Sequence, residues 1–357
     1  MSSQWILKEE IDEILDCYDQ ANLKIATIGS HSALQISKGA RDENFKSLAI
    51  CSEAVSWFYE QFDFIDEVIS VRNYKDILKK RFQEELIQDN CILIPHGSFV
   101  EYVGAEAILT KLKVPCFGNR ITLEWESDRE KEMSWFEEAR IKVPKVFKKP
   151  EEIDRLAIVK FFGAKGGKGY FLVRNKDEFY EMKKFIKKAN SYLIQEYVIG
   201  TRFYPHYFYS KILDRLELLG MDIRYESNVD ALGRIPPRIS RSLELRESYS
   251  ITGNIPVVAR ESLLPKILEI GYNLLNASRK LFSFGIIGPF CIEMICTEHL
   301  ELVCFEISSR IVAGTNFYMD GSPYSSLYFD EPMSCGRRIC REINLALSSG
   351  RLKEVIF

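Results

Sequence analysis

The sequence predicts an α/β amino-terminal region with a Rossmann-like parallel sheet, followed by an α+β region built on antiparallel strands. Three observations predict it. Between Lys24 and Asn119, short apolar runs alternate with helical patterns, the rhythm of a parallel sheet. From Phe203 to Ser262 the pattern becomes that of antiparallel strands, as in YPHYFYS and LELLGMDIRYESN. Between the two, Ile158–Phe171 (IVKFFGAKGGKGYF) reads as strand, glycine-rich cationic flap, strand.

Composition narrows the function classes. A chain of 357 residues suffices for two or three domains, and 46% hydrophobic with 28% charged residues is ordinary for a soluble globular protein. A net charge of −3 supplies no basic excess for a nucleic-acid backbone. No apolar stretch approaches the roughly 20 residues of a membrane span, so no membrane and a cytoplasmic location are expected. Nine cysteines without a CxxC pair read as buried thiols, and four dispersed histidines give zinc little support.

Taken in order, Ser3–Gln20 carries Ile6, Ile11, Ile14, Leu15 and Tyr18 among charges, an amphipathic helix that sets residues 1–22 apart. Residues 23–144 form the parallel-sheet domain. Its strands are Lys24–Ile28, Phe45–Cys51, Asp66–Val71 and Cys91–Pro95, with a helical pattern to about Glu43, a helix over Tyr74–Gln88 and a closing segment Val114–Asn119. The charged helix Leu123–Arg140, read as a solvated face, leads to a boundary at Ile141–Pro144. Residues 145–204 form the flap subdomain, with helix Lys176–Asn190. Residues 205–357 hold the antiparallel strands, an amphipathic helix over Pro265–Leu281 and a last helix over Ile339–Leu347.

Four stretches carry candidate chemistry. Gly29, Ser30, His31 and Ser32 join a buried strand to a helix, where backbone amides, hydroxyls and the positive helix end favour a phosphate monoester. A plain turn with a capping serine is the other reading. His96-Gly97-Ser98 stands at the carboxyl end of its strand, so His31 and Ser98 can face one crevice. The flap, with glycines at 163, 166, 167 and 169 and Lys165 and Lys168 beyond Lys160, suits a nucleoside triphosphate. It lacks the GK[ST] ending of a P-loop, and a purely structural turn stays open. In LIQEYVIG, Glu196 and the Tyr197-Val198 backbone can serve a ribose hydroxyl and an adenine edge, unless Glu196 is an ordinary surface acid.

The fourth is the pair of runs Cys291–Ile295 (CIEMI) and Leu302–Ser308 (LVCFEIS) around Glu298–Glu301. A hairpin closed there opposes residues whose positions sum to 599, which sets Glu293 across from Glu306. Like charges so placed, about 5 Å apart at Cβ, repel unless a cation intervenes, and Mg²⁺ suits two carboxylates plus phosphates. The alternative is a solvated acidic hairpin face.

Lys160, glycine-rich flap, acidic hinge strand and two late glutamates in this order resemble the ATP-grasp ligases, which activate a carboxylate as an acyl phosphate. The runs IATIGSHSALQISKGA, IPHGSF, FGNR, LLGMDIRYESN, ITGNIPVV, ESLLP, IGPFC, FEISSRIVAGTN and GSPYS resemble the archaeal formate-dependent 5-formaminoimidazole-4-carboxamide ribonucleotide (FAICAR) synthetases, the PurP family, nearly throughout from Lys24 onward. The resemblance implies an ATP-grasp fold with an N-terminal Rossmann-like preATP-grasp domain. It implies an ADP-forming carbon–nitrogen ligase of IMP biosynthesis that formylates 5-amino-4-imidazolecarboxamide ribonucleotide (AICAR) through formyl phosphate. ATP, formate and AICAR would be its small-molecule partners, Mg²⁺ or Mn²⁺ its metal, and a homo-oligomer, trimer or hexamer, its assembly.

Carried onto this chain, the resemblance puts Lys160, Lys165 and Lys168 on phosphates, Glu196, Tyr197, Val198 and Glu226 around the nucleotide, and Glu293 and Glu306 on the metal. Gly29, Ser30, His31, Ser98 and Asn254 would hold the ribonucleotide. Arg224 and Arg310 would meet phosphate or formate as catalytic cations together with Lys160, with Thr315 and Asn316 nearby. Two other readings stand beside it: a paralogue ligating a different carboxylate or amine, and a nucleotide-binding regulator without turnover.

Overall fold

The computed structural model describes residues 5–161, 170–183, 192–240 and 249–357. Its first sheet is parallel throughout, in the order β3-β2-β1-β4, from β1 (Lys24–Ile28), β2 (Lys46–Ser52), β3 (Glu67–Val71) and β4 (Cys91–Leu93). The central runs IATI and SLAIC are buried, as expected for strands covered on both faces. Chain order reverses between β2 and β4 on either side of β1, which opens a crevice at their carboxyl ends.

Four further strands form the second sheet: β5 (Val146–Phe147), β6 (Ala157–Phe161), β7 (Tyr170–Val173) and β8 (Tyr192–Glu196), antiparallel in the order β5-β8-β6-β7. Lys160 pairs with Tyr170, so the flap does spring from an antiparallel strand pair. The flap itself, with Lys165 and Lys168, lies outside the described residues, as does the end of the helix expected to reach Asn190. That helix is described over Lys176–Lys183.

The third sheet is antiparallel in the order β11-β10-β9-β12-β13, from β9 (Thr201–Ser210), β10 (Arg215–Asn228), β11 (Tyr249–Pro256), β12 (Gly288–Cys296) and β13 (Leu302–Ser308). Its two faces have separate duties. Tyr207 turns to the helix Leu264–Leu281, donating its hydroxyl to Ile267 O at 2.7 Å. By alternation Tyr204 and His206 face the other way, toward the crevice. The helix Cys335–Ser348 packs on the helix Ala33–Asp42 through two glycines: a Cβ on Gly39 would stand 2.3 Å from Arg337 N, and one on Gly336 2.3 Å from Gln35 O.

Several expected elements change shape. The amino-terminal helix is short, Lys8–Asp16, and Ile11, Leu15 and Tyr18 pack into a core shared with Ile25 and Ile92. The helix expected over Tyr74–Gln88 divides into a 3-10 turn, Tyr74–Leu78, and a helix, Lys80–Gln88. Val114–Asn119 meets the first sheet through the isolated bridge of Cys116 with Leu93, while Phe117 bridges to Ile356. The helix expected over Leu123–Arg140 breaks at Asp128, whose carboxylate accepts from Glu130 N and Lys131 N and so starts a new helix, Arg129–Glu138, after Ile121–Ser127. Nor is that charged helix simply solvated: Glu132 is 4% exposed. All nine cysteines are free thiols, and only Cys17 is exposed.

Candidate active site

Directly opposed residues of antiparallel strands share a face. Pairing sets Tyr204 across from Asp222, Arg224 across from Asn254, Cys291 across from His206, and Glu293 across from Glu306. One face of the third sheet therefore carries Tyr204, His206, Asp222, Arg224, Asn254, Glu293 and Glu306. The expected register holds at 291/308, 292/307 and 293/306, then slips by one at a bulge after Glu293. Both carboxylates lie on the side where it holds.

Glu293 is 4% exposed and forms an ion pair with Arg224. Burial pushes its carboxyl up to about 7; Glu306 pushes the same way, while Arg224 opposes. Arg224 in turn stacks over the Tyr204 ring, 4.4 Å from its centroid. Among the described residues no group of three or more His, Cys, Asp or Glu is arranged to hold a metal ion. Two directly opposed carboxylates, one of them lining a cleft, nevertheless fit a divalent cation whose other ligands are phosphate oxygens. Their mutual repulsion is the observation that supports the fit.

The cleft in front of this face encloses about 290 Å³. Lys160, Glu196, Tyr197, Val198, Arg224, Glu226 and Glu293 all line it, so the structure brings together seven residues singled out from sequence. Lys160 donates to Gln195 Oε1 at 3.3 Å, and its ammonium sits 5.9 Å from the Phe305 ring centroid. Burial and the nearby Arg129 lower the Lys160 pKa, against the pull of Glu306, Glu132 and Glu293. The Glu196 carboxylate accepts from Lys145 N and Arg155 Nη1, both at 3.2 Å. Tyr197 N–H is spent on Leu156 O at 2.9 Å, whereas Val198 N–H has no partner among the described residues. Glu226 is held by Arg202 through two 2.7 Å contacts.

The second group gathers at the carboxyl ends of β1 and β4. Ser30 Oγ donates to Ser98 Oγ at 3.0 Å, and the His31 and His96 rings stack in parallel, centroids 5.2 Å apart. A Cβ on Gly97 would fall 2.7 Å from His31 Nε2 and 3.3 Å from Arg310 Cζ, so these three positions meet. Burial, then His96, Arg310 and Arg224, lower the His31 pKa to about 2, leaving a neutral ring. The expected free amides at 29 and 30 are not free: Gly29 N–H donates to Ile50 O and Ser30 N–H to Ile28 O. Gly29 is glycine for packing, since a Cβ there would stand 2.3 Å from Cys51 Sγ. Thr315 and Asn316 act on the scaffold: Gln35 Nε2 donates to both, and Asn316 Nδ2 donates to His31 O at 2.8 Å.

Sequence reasoning missed the acids that fix β13 from the preceding helices. Glu132 Oε1 accepts from Ile307 N at 2.7 Å, and Glu126 Oε2 accepts from Ser309 N at 2.5 Å. Glu126 also pairs with Arg310, Nε to Oε1 3.2 Å. It missed Arg202, Tyr204 and Gln195 as well, all of which line the cleft; the alternation at 202 and 204 was the available signal for the first two.

Comparisons with known proteins bear on the family and the fold. Residues 173–357 match the family described as "Domain of unknown function (DUF1297)", and residues 25–147 match "Protein of unknown function (DUF1246)". A curated relative from Ignicoccus hospitalis, 49% identical, matches over 97% of this chain and 99% of its own length, and is named 5-formaminoimidazole-4-carboxamide-1-(beta)-D-ribofuranosyl 5'-monophosphate synthetase. A crystal structure described as an IMP biosynthesis protein PurP from Thermococcus kodakaraensis superposes with a TM-score of 0.74 at 34% identity, over 93% of this chain and all of that one. An N5-carboxyaminoimidazole ribonucleotide synthetase, solved as its ADP complex, shares the fold at 13% identity with a TM-score of 0.65, over 90% of this chain and 76% of that one.

Proposed function

The chain belongs to the 5-formaminoimidazole-4-carboxamide-1-(beta)-D-ribofuranosyl 5'-monophosphate synthetase family, with the ATP-grasp fold, and from that membership we propose that it formylates AICAR at the expense of ATP. It is a ligase of purine biosynthesis. One formate oxygen attacks the γ-phosphorus of ATP, ADP leaves, and formyl phosphate forms. The 5-amino nitrogen then attacks the formyl carbon, the carbon–oxygen bond to phosphate breaks, and the amine loses a proton. Formate alone is a poor electrophile, because its carboxylate is anionic and carries no good leaving group; the phosphoryl group removes both faults.

The observation that carries the reading is the convergence of Lys160, Arg224 and Glu293 on one cleft, with Glu306 paired directly across from Glu293. Lys160 neutralises phosphate charge, with Lys165 and Lys168 assigned the same duty. Glu196, Val198 and Glu226 serve the nucleoside side. A Mg²⁺ or Mn²⁺ held by Glu293 and Glu306 would offset the charge of the transferring phosphoryl group. Arg224 and Arg310 hold formate or the phosphoryl group it receives. Neutral His31 and Ser98 hydrogen-bond the ribonucleotide, with Asn254 on the neighbouring sheet face. Catalysis on this account is positioning and charge stabilisation, with no covalent protein intermediate. The same reading makes it a cytoplasmic enzyme acting as a trimer or hexamer, checked by light scattering.

The test is an omission assay. The protein is incubated with ATP, Mg²⁺, formate and AICAR, each left out in turn, while ADP and formylated product are followed. Product that requires all four supports the proposal; ADP formed only with another carboxylate, or no ADP, overturns it.

A further inference from the structure

Beneath Asn254 lies a buried acid that the mechanism above does not use. Asp222 is 1% exposed, and its Oδ2 accepts from Asn254 Nδ2 at 2.6 Å. Its other oxygen, Oδ1, lies 2.9 Å from Nε2 of His206, itself 2% exposed. The turn Ala313–Thr315 closes over the carboxylate so tightly that a Cβ on Gly314 would stand 2.4 Å from Asp222 Oδ1. The carboxylate is therefore fixed from three sides and has no room to turn away.

A carboxylate only accepts hydrogen bonds, whereas an asparagine amide has a donating end and an accepting end that can exchange by a flip. Because Asp222 takes the donating end, Asn254 must present its carbonyl oxygen to the site. Among the described residues nothing hydrogen-bonds that oxygen. We infer that Asp222 is a positioning residue that makes Asn254 an obligate acceptor, so that the site selects imidazole ribonucleotides carrying an N–H donor over those carrying an acceptor or nothing at that place. The inference rests on the proposed function and deepens it. AICAR has two such donors, the carboxamide nitrogen and the 5-amino group. A site polar group left unpaired by the wrong ligand discriminates far more strongly than an apolar contact does.

The experiment compares wild type with Asp222→Asn, which keeps shape but allows the Asn254 amide to flip. Calorimetric affinities are measured for AICAR and two analogues, the 4-carboxylate ribonucleotide and the ribonucleotide lacking the 5-amino group, alongside steady-state KM and kcat. The expected result is a KM for AICAR raised roughly tenfold, with the effect mainly on KM, and a preference for AICAR over one analogue narrowed by about tenfold. Narrowing against the 4-carboxylate assigns the bond to the carboxamide; narrowing against the other assigns it to the amine. Both ratios unchanged, whether or not KM moves, overturn the inference, because a merely structural acid would weaken all three ligands alike. If Asp222→Asn fails to fold, Asn254→Ala must lose the same preference, and its retention overturns the inference. The ratios come from binding alone, so a wild type that binds AICAR but fails to turn over with formate rejects the parent reading and leaves this one to its own result.

Discussion

At the scale of single residues, His31 shows how burial sets a chemical role. Its ring is packed against His96 with two guanidinium groups nearby, and its pKa falls to about 2. A histidine in that state is a hydrogen-bonding group throughout the physiological range and carries no charge to a phosphate. The folded pKa lies below the usual 6.5, so the stability the neutral ring contributes is complete above pH 6.5 and is lost as pH falls from there toward 2. His96, lowered to about 4 by burial first, adds loss over the narrower window from 6.5 to 4. Thermal midpoints should therefore decline on acidification below pH 6.5, and His31→Asn should make the decline shallower by roughly 1 kcal/mol per pH unit. Equal acid slopes in the two proteins would contradict the buried neutral ring.

At the scale of elements, the hairpin β12–β13 owes its place to the helices before it. Alternation and a turn-sized loop made the pairing of Glu293 with Glu306 legible in the sequence, because strand register is arithmetic once the turn is fixed. The helix Arg129–Glu138 was not legible in the same way. Its charges suggested solvent, but Glu132 faces inward to satisfy Ile307 N–H, a partner 175 residues away that no local pattern reveals. The turn after the first strand differs in one respect for a related reason: the amides of Gly29 and Ser30 are taken by backbone carbonyls, which residue types alone do not show. Burial, then Glu306, pushes Glu132 up to about 8 despite that hydrogen bond. Glu132→Gln keeps an acceptor and should melt near wild type, whereas Glu132→Leu strands the amide at a cost of about 1–3 kcal/mol. Equal melting of the two would refute the bond. On the hairpin itself, Glu306→Gln should lower Mg²⁺-dependent turnover by a factor on the order of 100, and unchanged Mg²⁺ dependence would remove the metal assignment.

At the scale of the molecule, the cleft and the crevice belong to one site only if the parallel sheet and the five-stranded sheet hold their mutual position. Two joints do this. Glu126 ties the helix Ile121–Ser127 to Ser309 and Arg310, just past the β12–β13 hairpin. On the far side, fully buried Arg338 pairs with Glu217 of β10 and Glu342 of its own helix, at 2.8 and 2.9 Å, while that helix packs on the one following β1. Removing the cation alone, as in Arg338→Met, leaves buried carboxylates without a partner and should cost about 3–5 kcal/mol, read as a lower denaturation midpoint. A midpoint equal to wild type would show that the joint is dispensable.

On the proposed route, phosphate and formate meet as a mixed anhydride inside this joined site. Formate carrying ¹⁸O in both oxygens tests it directly. If a formate oxygen attacks the γ-phosphorus, each inorganic phosphate released with formylated product carries one ¹⁸O, and the product retains the other in its formyl group. Unlabelled phosphate formed alongside labelled product would contradict the account.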